Sequence, residues 1–196
     1  MNRFYAVLIA GFSVALSAAA QQSPAQPPTV ASSVRNYYMT RKSEVVRSAE
    51  KMPEEFYGLR PGPQEEVRTF GQHLAHIANY NFLWCAQAKG EKNPNAGVNL
   101  EKTLTTKAEF LKALNDSFAY CDGAYNALTD ASGAEVIEIT QESGRKQQVP
   151  RMALLILNLE HESEVYGSMA TTMRIKSIVP SSSEPRPQPT PQQKQP

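Results

Sequence analysis

The feature that most constrains this chain is a recurrence of apolar residues at three- and four-residue spacing in four separate segments. This pattern is typical of amphipathic helices that bury one face. The third segment is the most regular, and it opens with Thr106 and Glu109, whose spacing predicts a capping box. Its apolar seam is Leu111, Leu114, Phe118, Cys121, Tyr125 and Leu128. Since 41% of the 196 residues are hydrophobic, one core can form, and we predict an all-α four-helix bundle.

Proline, glycine and turn residues indicate where the predicted helices begin and end. The first is predicted from about residue 33 to 52 and stops before Pro53, and the second runs from about 69 to 89 and stops at Gly90. The fourth opens at Pro150, runs to about residue 176, and carries Leu154, Leu157, His161 and Val165 on its predicted inward stripe. The third is predicted to close at Ser132-Gly133.

Between the third and fourth helices, the spacing of apolar residues changes from three or four residues to strict alternation. Residues 136–140 alternate apolar and polar side chains, and Glu142-Ser143-Gly144 is a turn sequence. A short strand or hairpin is therefore expected there. On the first helix, Arg41 lies within the apolar stripe. Its aliphatic stem can cover apolar surface while the guanidinium reaches water, or the guanidinium can contact a substrate.

Both ends of the chain differ from the bundle in composition. Residues 1–20 combine Arg3, an apolar run and a small-residue site at Ala18-Ala19-Ala20, which predicts a secretory signal peptide cleaved after Ala20. An uncleaved anchor is the alternative, but the run is shorter than the roughly 20 apolar residues of a spanning helix. The Pro/Gln-rich residues 21–30 and 181–196 are predicted to be disordered, which leaves residues 31–180 as the bundle.

The charge balance excludes some partners. Arg3 is the only charge in the signal, so its removal leaves 19 basic residues from the original 20 against 19 acidic ones. A neutral chain without a basic stripe is not expected to bind nucleic acid or to stay on a membrane surface after cleavage. We expect a periplasmic or secreted protein. A homodimer is compatible with a bundle that has surplus apolar surface.

All three histidines of the chain, His73, His76 and His161, lie on helices expected to face the core. A single buried histidine is usually a hydrogen-bonded core residue. Histidines on two facing helices can also bind a divalent metal together, since imidazole is the commonest ligand for such ions.

Three stretches carry a family resemblance: TFGQHLAHIANYNFLWCAQAKGEKNP, FAYCDGAYNALTD and HESEVYGSMATTMRIKSIVPSSSE. In these the chain resembles the DinB-like (YfiT-like) family, in particular its exported bacterial members, over about residues 34–184. The resemblance implies a four-helix bundle with up-down-down-up connectivity, whose second and third long helices run parallel. It also implies a relation to transferases and isomerases that work with thiols such as bacillithiol or mycothiol. Most members have no assigned reaction, so the resemblance implies a fold more than a function.

The resemblance further implies a three-histidine metal centre for zinc, nickel or iron, of which this chain has only part. His76 and His161 match two ligand positions, whereas Val165 occupies the third and cannot bind a metal. His73, one turn before His76, or Glu164, three residues after His161, are the candidates for a substitute ligand. Glu162 and Glu164 are otherwise interpreted as solvated residues or partners that orient His161, rather than as a catalytic base.

Cys85 and Cys121 are the only cysteines. If the second and third long helices run parallel, as the resemblance implies, both cysteines lie about 15 to 16 residues into their helices, at the same height. In an exported protein we then predict a disulfide between them. The alternative is a pair of buried free thiols.

Two functions from different classes remain open. One is a non-catalytic bundle that binds a small molecule or a protein, with an interior lined by Tyr38, Tyr80, Trp84 and Met169. The other is a divalent-metal-dependent thiol transferase or hydrolase that uses His76 and His161 with a substitute third ligand. The missing ligand at Val165 favours the first.

Overall fold

A computed structural model describes residues 27–141 and 143–185 of the chain. The predicted signal peptide, most of the first linker and residues 186–196 lie outside this part. The helices are α1 (Val30–Lys51), α2 (Phe70–Lys89), the short α3 (Leu100–Thr103), α4 (Lys107–Asn126), the short α5 (Asp130–Ala134) and α6 (Arg151–Ile175). An antiparallel hairpin of β1 (Val136–Thr140) and β2 (Lys146–Pro150) precedes α6. The predicted all-α bundle with a hairpin before its last long helix is therefore confirmed.

Local side-chain bonds explain where the long helices begin. Thr29, Thr69 and Thr106 each accept a hydrogen bond from the third backbone N–H of the helix that follows. In each case the side chain of that third residue accepts a hydrogen bond from the backbone N–H of the capping threonine. The capping box predicted at Thr106 and Glu109 is therefore present. At the other end of α2, Gly90 adopts a left-handed φ of 70°, which a side chain would disfavour.

Residue pairs across the interfaces establish the connectivity. Gly71 near the start of α2 lies against Phe110 near the start of α4, and Cys85 bonds Cys121 near their ends, so these helices run parallel. The N-terminal residue of α4, Lys107, instead reaches the carbonyl of Met52 at the end of α1, so α1 and α4 are antiparallel. Along the α1–α6 interface, Arg41 contacts Ser163 and Ser48 contacts Tyr166. Residue numbers increase in the same direction on both helices, so α1 and α6 run parallel. The order is up-down-down-up, as the resemblance implied.

The predicted disulfide between Cys85 and Cys121 is present, with 5.3 Å between the Cα atoms. Both cysteines are fully buried, so the bond ties α2 to α4 inside the core, toward the C-terminal ends of the two helices. Closing the loop of 36 residues of sequence separation restricts the unfolded chain, which stabilises the fold by roughly 3 to 4 kcal/mol.

The structure corrects one predicted helix boundary and one predicted helix face, and it shows the contacts of Arg41. The third long helix ends at Asn126 rather than at Ser132-Gly133, because Thr129 caps the separate helix α5. Leu157, predicted to face inward on α6, is 41% exposed. The Arg41 guanidinium donates to Ser163 and lies 5.0 Å from the centre of the Tyr166 ring, so it serves packing within the bundle.

The predicted disordered tail begins too early at residue 181. Residues Ser181–Ser183 form a 3-10 helix that packs on α1, where the Ser181 N–H donates to the Ser48 hydroxyl at 3.1 Å. Glu184 pairs with Lys51 at 2.7 Å. The ordered domain therefore continues past its predicted end at residue 180. In residues 27–141 and 143–185, no helix combines the length and apolarity needed to cross a bilayer.

A polar group is buried in the core between α1, α4 and α6. Glu162 is 1% exposed, its Oε1 accepts a 2.8 Å bond from Asn158, and its Oε2 has no hydrogen-bond partner among the described residues. Burial raises the pKa of Glu162 from 4.5 to about 8, although Asn158, Arg41 and Lys42 act in the opposite direction. Glu162 is thus protonated at neutral pH. The interpretation of Glu162 as a solvated residue or as a partner that orients His161 is wrong, because its side chain is buried and bonds Asn158.

We expect this burial to make the fold less stable as pH rises. Between pH 4.5 and 8 the unfolded chain has lost the Glu162 proton while the native chain retains it. Glu162 then lowers the free energy of unfolding by up to about 1.4 kcal/mol per pH unit in this window, while the lowered pKa of His73 acts in the opposite direction between about pH 4 and 6.5. Glu162→Gln, which keeps a neutral side chain of the same shape, should remove the Glu162 contribution in urea titrations, most clearly between pH 6.5 and 8.

The exposed Glu164 on the same helix provides the control. Glu164→Gln should keep the slope of the wild-type protein. Equal slopes in the wild-type protein and in Glu162→Gln would contradict the assignment of a buried, protonated Glu162.

Candidate functional site

Four ring side chains from α2 and α6 form one cluster. His76, Tyr80 and Trp84 follow each other at four-residue intervals along α2, so they lie on one stripe. His161 of α6 packs against this stripe, with ring centres 4.9 Å from His76, 4.7 Å from Tyr80 and 5.2 Å from Trp84. We call these four residues the ring cluster. The structure therefore brings together the two predicted metal ligands, His76 and His161.

The ring of His76 is held by an acidic residue from α3. His76 Nδ1 lies 2.6 Å from Glu101 Oε1, and Glu101 Oε2 accepts a 2.7 Å bond from Arg68 Nε. Because a carboxylate only accepts hydrogen bonds, His76 Nδ1 carries the proton. Burial raises the pKa of Glu101, but the bonds from His76 and Arg68 outweigh it and leave the pKa below its ordinary value. A charged Glu101 thus fixes both the orientation and the tautomer of His76.

An apolar cleft of about 510 Å³ opens on one side of the ring cluster, between α2, α6 and the hairpin. Tyr80, Trp84 and His161 line its inner wall. Its apolar lining is completed by Leu83, Ile139, Val149, Ala153, Leu154 and Leu157. The exposure of Leu157 is therefore explained by its position in this cleft.

The hairpin side of the apolar cleft is fixed to α2 by two hydrogen bonds made by one side-chain amide. Gln87 Nε2 donates to the Thr140 carbonyl at 3.1 Å, and the Thr140 N–H donates to Gln87 Oε1 at 3.3 Å. A two-stranded hairpin is marginal alone, so its position depends on contacts of this kind with a helix. The wall formed by Ile139 and Val149 is thereby placed opposite Trp84.

A second cleft, of about 450 Å³, includes His76 in its lining, which is mainly polar. It contains Arg68, His76 and Glu101 together with Asn79, Asn93, Asn95 and Asn99. Asn79 Oδ1 anchors the loop before α3, because it accepts bonds from Asn95 Nδ2 at 3.1 Å and from the Leu100 N–H at 3.2 Å. Tyr80 and Leu83 line both clefts, so the two are adjacent along α2.

The arrangement does not suit the metal that the resemblance implied. Val165 is buried at 7% exposure at the third ligand position and offers no donor atom. Glu164 is exposed, and because His76 Nδ1 is bonded to Glu101, only Nε2 of that ring could reach a metal. Within residues 27–141 and 143–185, no group of three or more His, Cys, Asp or Glu side chains could hold a metal ion. Neither His73 nor Glu164 therefore completes a site with His76 and His161.

His73 is buried one turn before His76. Neither ring nitrogen has a hydrogen-bond partner among the described residues. Burial lowers the pKa of His73 to about 4, and Arg68 and His76 add to this effect. A neutral, buried His73 behaves as a core residue in this fold.

Only part of the predicted interior lining belongs to a cleft. Tyr80 and Trp84 line the apolar cleft, whereas Tyr38 and Met169 are completely buried in the core. Tyr38 stacks on Tyr125 with ring centres 3.7 Å apart, which accounts for its position.

Glu101 and Arg68 are the site residues that the sequence did not predict. Arg68 precedes α2, and Glu101 lies 25 residues after His76 in a four-residue helix. The Asn99 side chain caps that helix by accepting from the Glu101 N–H, and such a cap was the only local signal available. A cap does not reveal which distant side chain the helix will contact.

Comparisons with solved structures show the same fold at low sequence identity. The DinB-like protein YjoA of Bacillus subtilis is 18% identical, with a TM-score of 0.56 over 74% of this chain and 92% of that one. A conserved protein of Enterococcus faecalis is 12% identical, with a TM-score of 0.59 over 76% of this chain and 98% of that one. A variant of a mycothiol-dependent maleylpyruvate isomerase is 14% identical, with a TM-score of 0.51 over 70% of this chain and 60% of that one.

A comparison with curated proteins finds no match. At the level of the sequence family, residues 37–164 match the DinB superfamily. This match spans more than half of the chain and includes α2, α4 and the residues of α6 that form the ring cluster. The chain is therefore a member of the DinB superfamily.

Proposed function

We propose that this protein is a small-molecule-binding member of the superfamily, and that its ligand occupies the apolar cleft between α2, α6 and the hairpin. The observation that carries the proposal is that three residues of the ring cluster, Tyr80, Trp84 and His161, form the inner wall of that cleft. A volume of about 510 Å³ suits a small organic molecule. The lining is mainly aliphatic and aromatic, with a few polar groups that can orient a ligand, as is usual for such sites.

The contacts around the ring cluster support binding in place of metal chemistry. Val165 fills the space where the resemblance implied a third ligand, and no described side chain replaces that donor. The rings of Trp84 and His161 meet edge to face, at an angle of 82°, and both line the cleft. A flat apolar ligand can stack on such rings without a metal to hold it.

Trp84 is the only tryptophan of the chain, so its fluorescence reports on the cleft directly. Titration with small aromatic compounds, benzyl alcohol among them, should change the Trp84 emission to saturation. Ala153→Phe, which introduces a ring into the lining, should weaken that binding at least tenfold, equivalent to about 1.4 kcal/mol.

The matched control is Ala119→Phe, because Ala119 is also an exposed alanine of a long helix but does not line the cleft. This variant should bind like the wild-type protein. A panel that leaves Trp84 unchanged, or equal binding by both variants, would contradict the proposed function.

A second candidate is a divalent-metal-dependent thiol transferase or hydrolase, favoured by the contact between His76 and His161. The similar fold of a mycothiol-dependent isomerase is compatible with it, but it shows likeness of fold alone. For this candidate the chain would need a third donor that the described residues do not provide.

Val165→His tests how this candidate relates to the proposed function. The substitution supplies a donor one turn after His161, so the variant should bind about one zinc per chain, while the mature wild-type protein should bind none. Elemental analysis of untagged protein, after zinc loading and gel filtration, measures both. About one zinc per wild-type chain, lost on His76→Ala and on His161→Ala, would instead support the enzyme.

We also propose that the mature protein acts outside the cytoplasm, in the periplasm or as a secreted protein. The sequence of residues 1–20 motivates this proposal, and the buried bond between Cys85 and Cys121 supports it, because structural disulfides persist in oxidising compartments.

A further inference from the structure

The two clefts differ in chemistry although they adjoin. Leu83 and Tyr80 line both, so a ligand seated against Trp84 can extend past Tyr80 toward Asn79 without leaving the protein surface. One cleft presents aliphatic and aromatic groups, and the other presents amides and a bonded ion pair. A ligand that uses both must itself be apolar at one end and polar at the other.

The ionic groups of the polar cleft are already compensated. Arg68 donates to Glu101 at 2.7 Å, and Glu101 also accepts from His76 at 2.6 Å. The positive charge of Arg68 and the negative charge of Glu101 therefore cancel within the cleft. An additional charge of either sign on a ligand would lie near a like charge, so an uncharged end is favoured.

Two asparagines of the polar cleft leave amide donors for a ligand, and Asn95 Oδ1 accepts no hydrogen bond from the described residues. Asn93 Oδ1 accepts from the Asn95 N–H at 2.8 Å, and Asn99 Oδ1 accepts from the Glu101 N–H at 3.0 Å. The Nδ2 groups of Asn93 and Asn99 donate no hydrogen bond within the described part of the chain. Such amide groups bind hydroxyl, ether or carbonyl oxygens.

From these observations we infer that the ligand is a neutral amphiphile, with an aromatic or aliphatic end in the apolar cleft and a hydroxyl- or amide-bearing end in the polar cleft. The inference rests on the proposed function, since it assigns the chemical class of the molecule that binds there.

Three probes that share one aromatic group separate the contributions of the two clefts: benzyl alcohol, benzyl β-D-glucoside and benzyl β-D-glucuronide. The glucoside should bind at least tenfold more tightly than the alcohol, because its hydroxyls reach the asparagine amides. The glucuronide, which adds a carboxylate near Glu101, should bind at least fivefold more weakly than the glucoside. Trp84 emission and calorimetry measure all three.

A substitution in the polar cleft tests the assignment of the ends. Asn93→Asp keeps the acceptor for the Asn95 N–H but replaces the free amide by an anionic oxygen. Its affinity for the glucoside should fall at least fivefold, and its affinity for benzyl alcohol, which has a single hydroxyl, should fall by a smaller factor. Asn115→Asp makes the same change of charge on the exposed face of α4 and should have no effect.

The outcomes distinguish the inference from the proposed function. Binding of benzyl alcohol with no gain from the glucose ring, or tighter binding of the glucuronide, would overturn the inference and leave the proposed function in place. An unchanged glucoside affinity in Asn93→Asp would also overturn it. No response of Trp84 or of the calorimeter to any of the three probes would overturn both.

Discussion

The architecture of the site depends on the packing of α2 between α4 and α6. One face of α2 meets α4 in a parallel arrangement, in which Gly71 allows the Phe110 ring to approach and Cys85 bonds Cys121. This interface fixes the rotation of α2 about its axis. The stripe of His76, Tyr80 and Trp84 is then directed to α6, where it meets His161. The Cys85–Cys121 disulfide near the end of α2 and the Gly71–Phe110 contact at its start thus position the side chains of the ring cluster, which take part in neither contact.

One difference of residue chemistry leaves incomplete the metal centre that the resemblance implied, because Val165 removes a donor from α6. Glu101 orients His76 by accepting a hydrogen bond from its Nδ1. An unmet hydrogen bond in a buried imidazole costs about 1 to 3 kcal/mol, and Glu101 removes that cost at His76 Nδ1, whereas His73 has no such partner among the described residues. Glu101 is itself paired with Arg68. The same ion pair leaves the neighbouring polar cleft without net charge.

Much of the fold could be predicted from the sequence because it depends on local rules. The helix starts at Thr69 and Thr106 follow from capping, and the α4 seam follows from spacing. The site was less predictable, since Glu101 reaches His76 across 25 residues through the placement of the short helix α3. Glu162 was misjudged for a related reason: its neighbours in sequence do not reveal that Asn158 accompanies it into the core. Periodicity identifies which residues face inward, but it does not identify which polar groups will meet there.

The central claim is that His76 and His161 meet in the ring cluster without a metal ion between them. Imidazole ¹⁵N–¹H correlation spectra of the mature protein test it directly, because the chain has only three histidines to assign. The account predicts that His76 carries its proton on Nδ1, bonded to Glu101, and that equimolar zinc leaves the His76 and His161 signals unchanged. Displacement of both signals to metal-bound positions by equimolar zinc would contradict it.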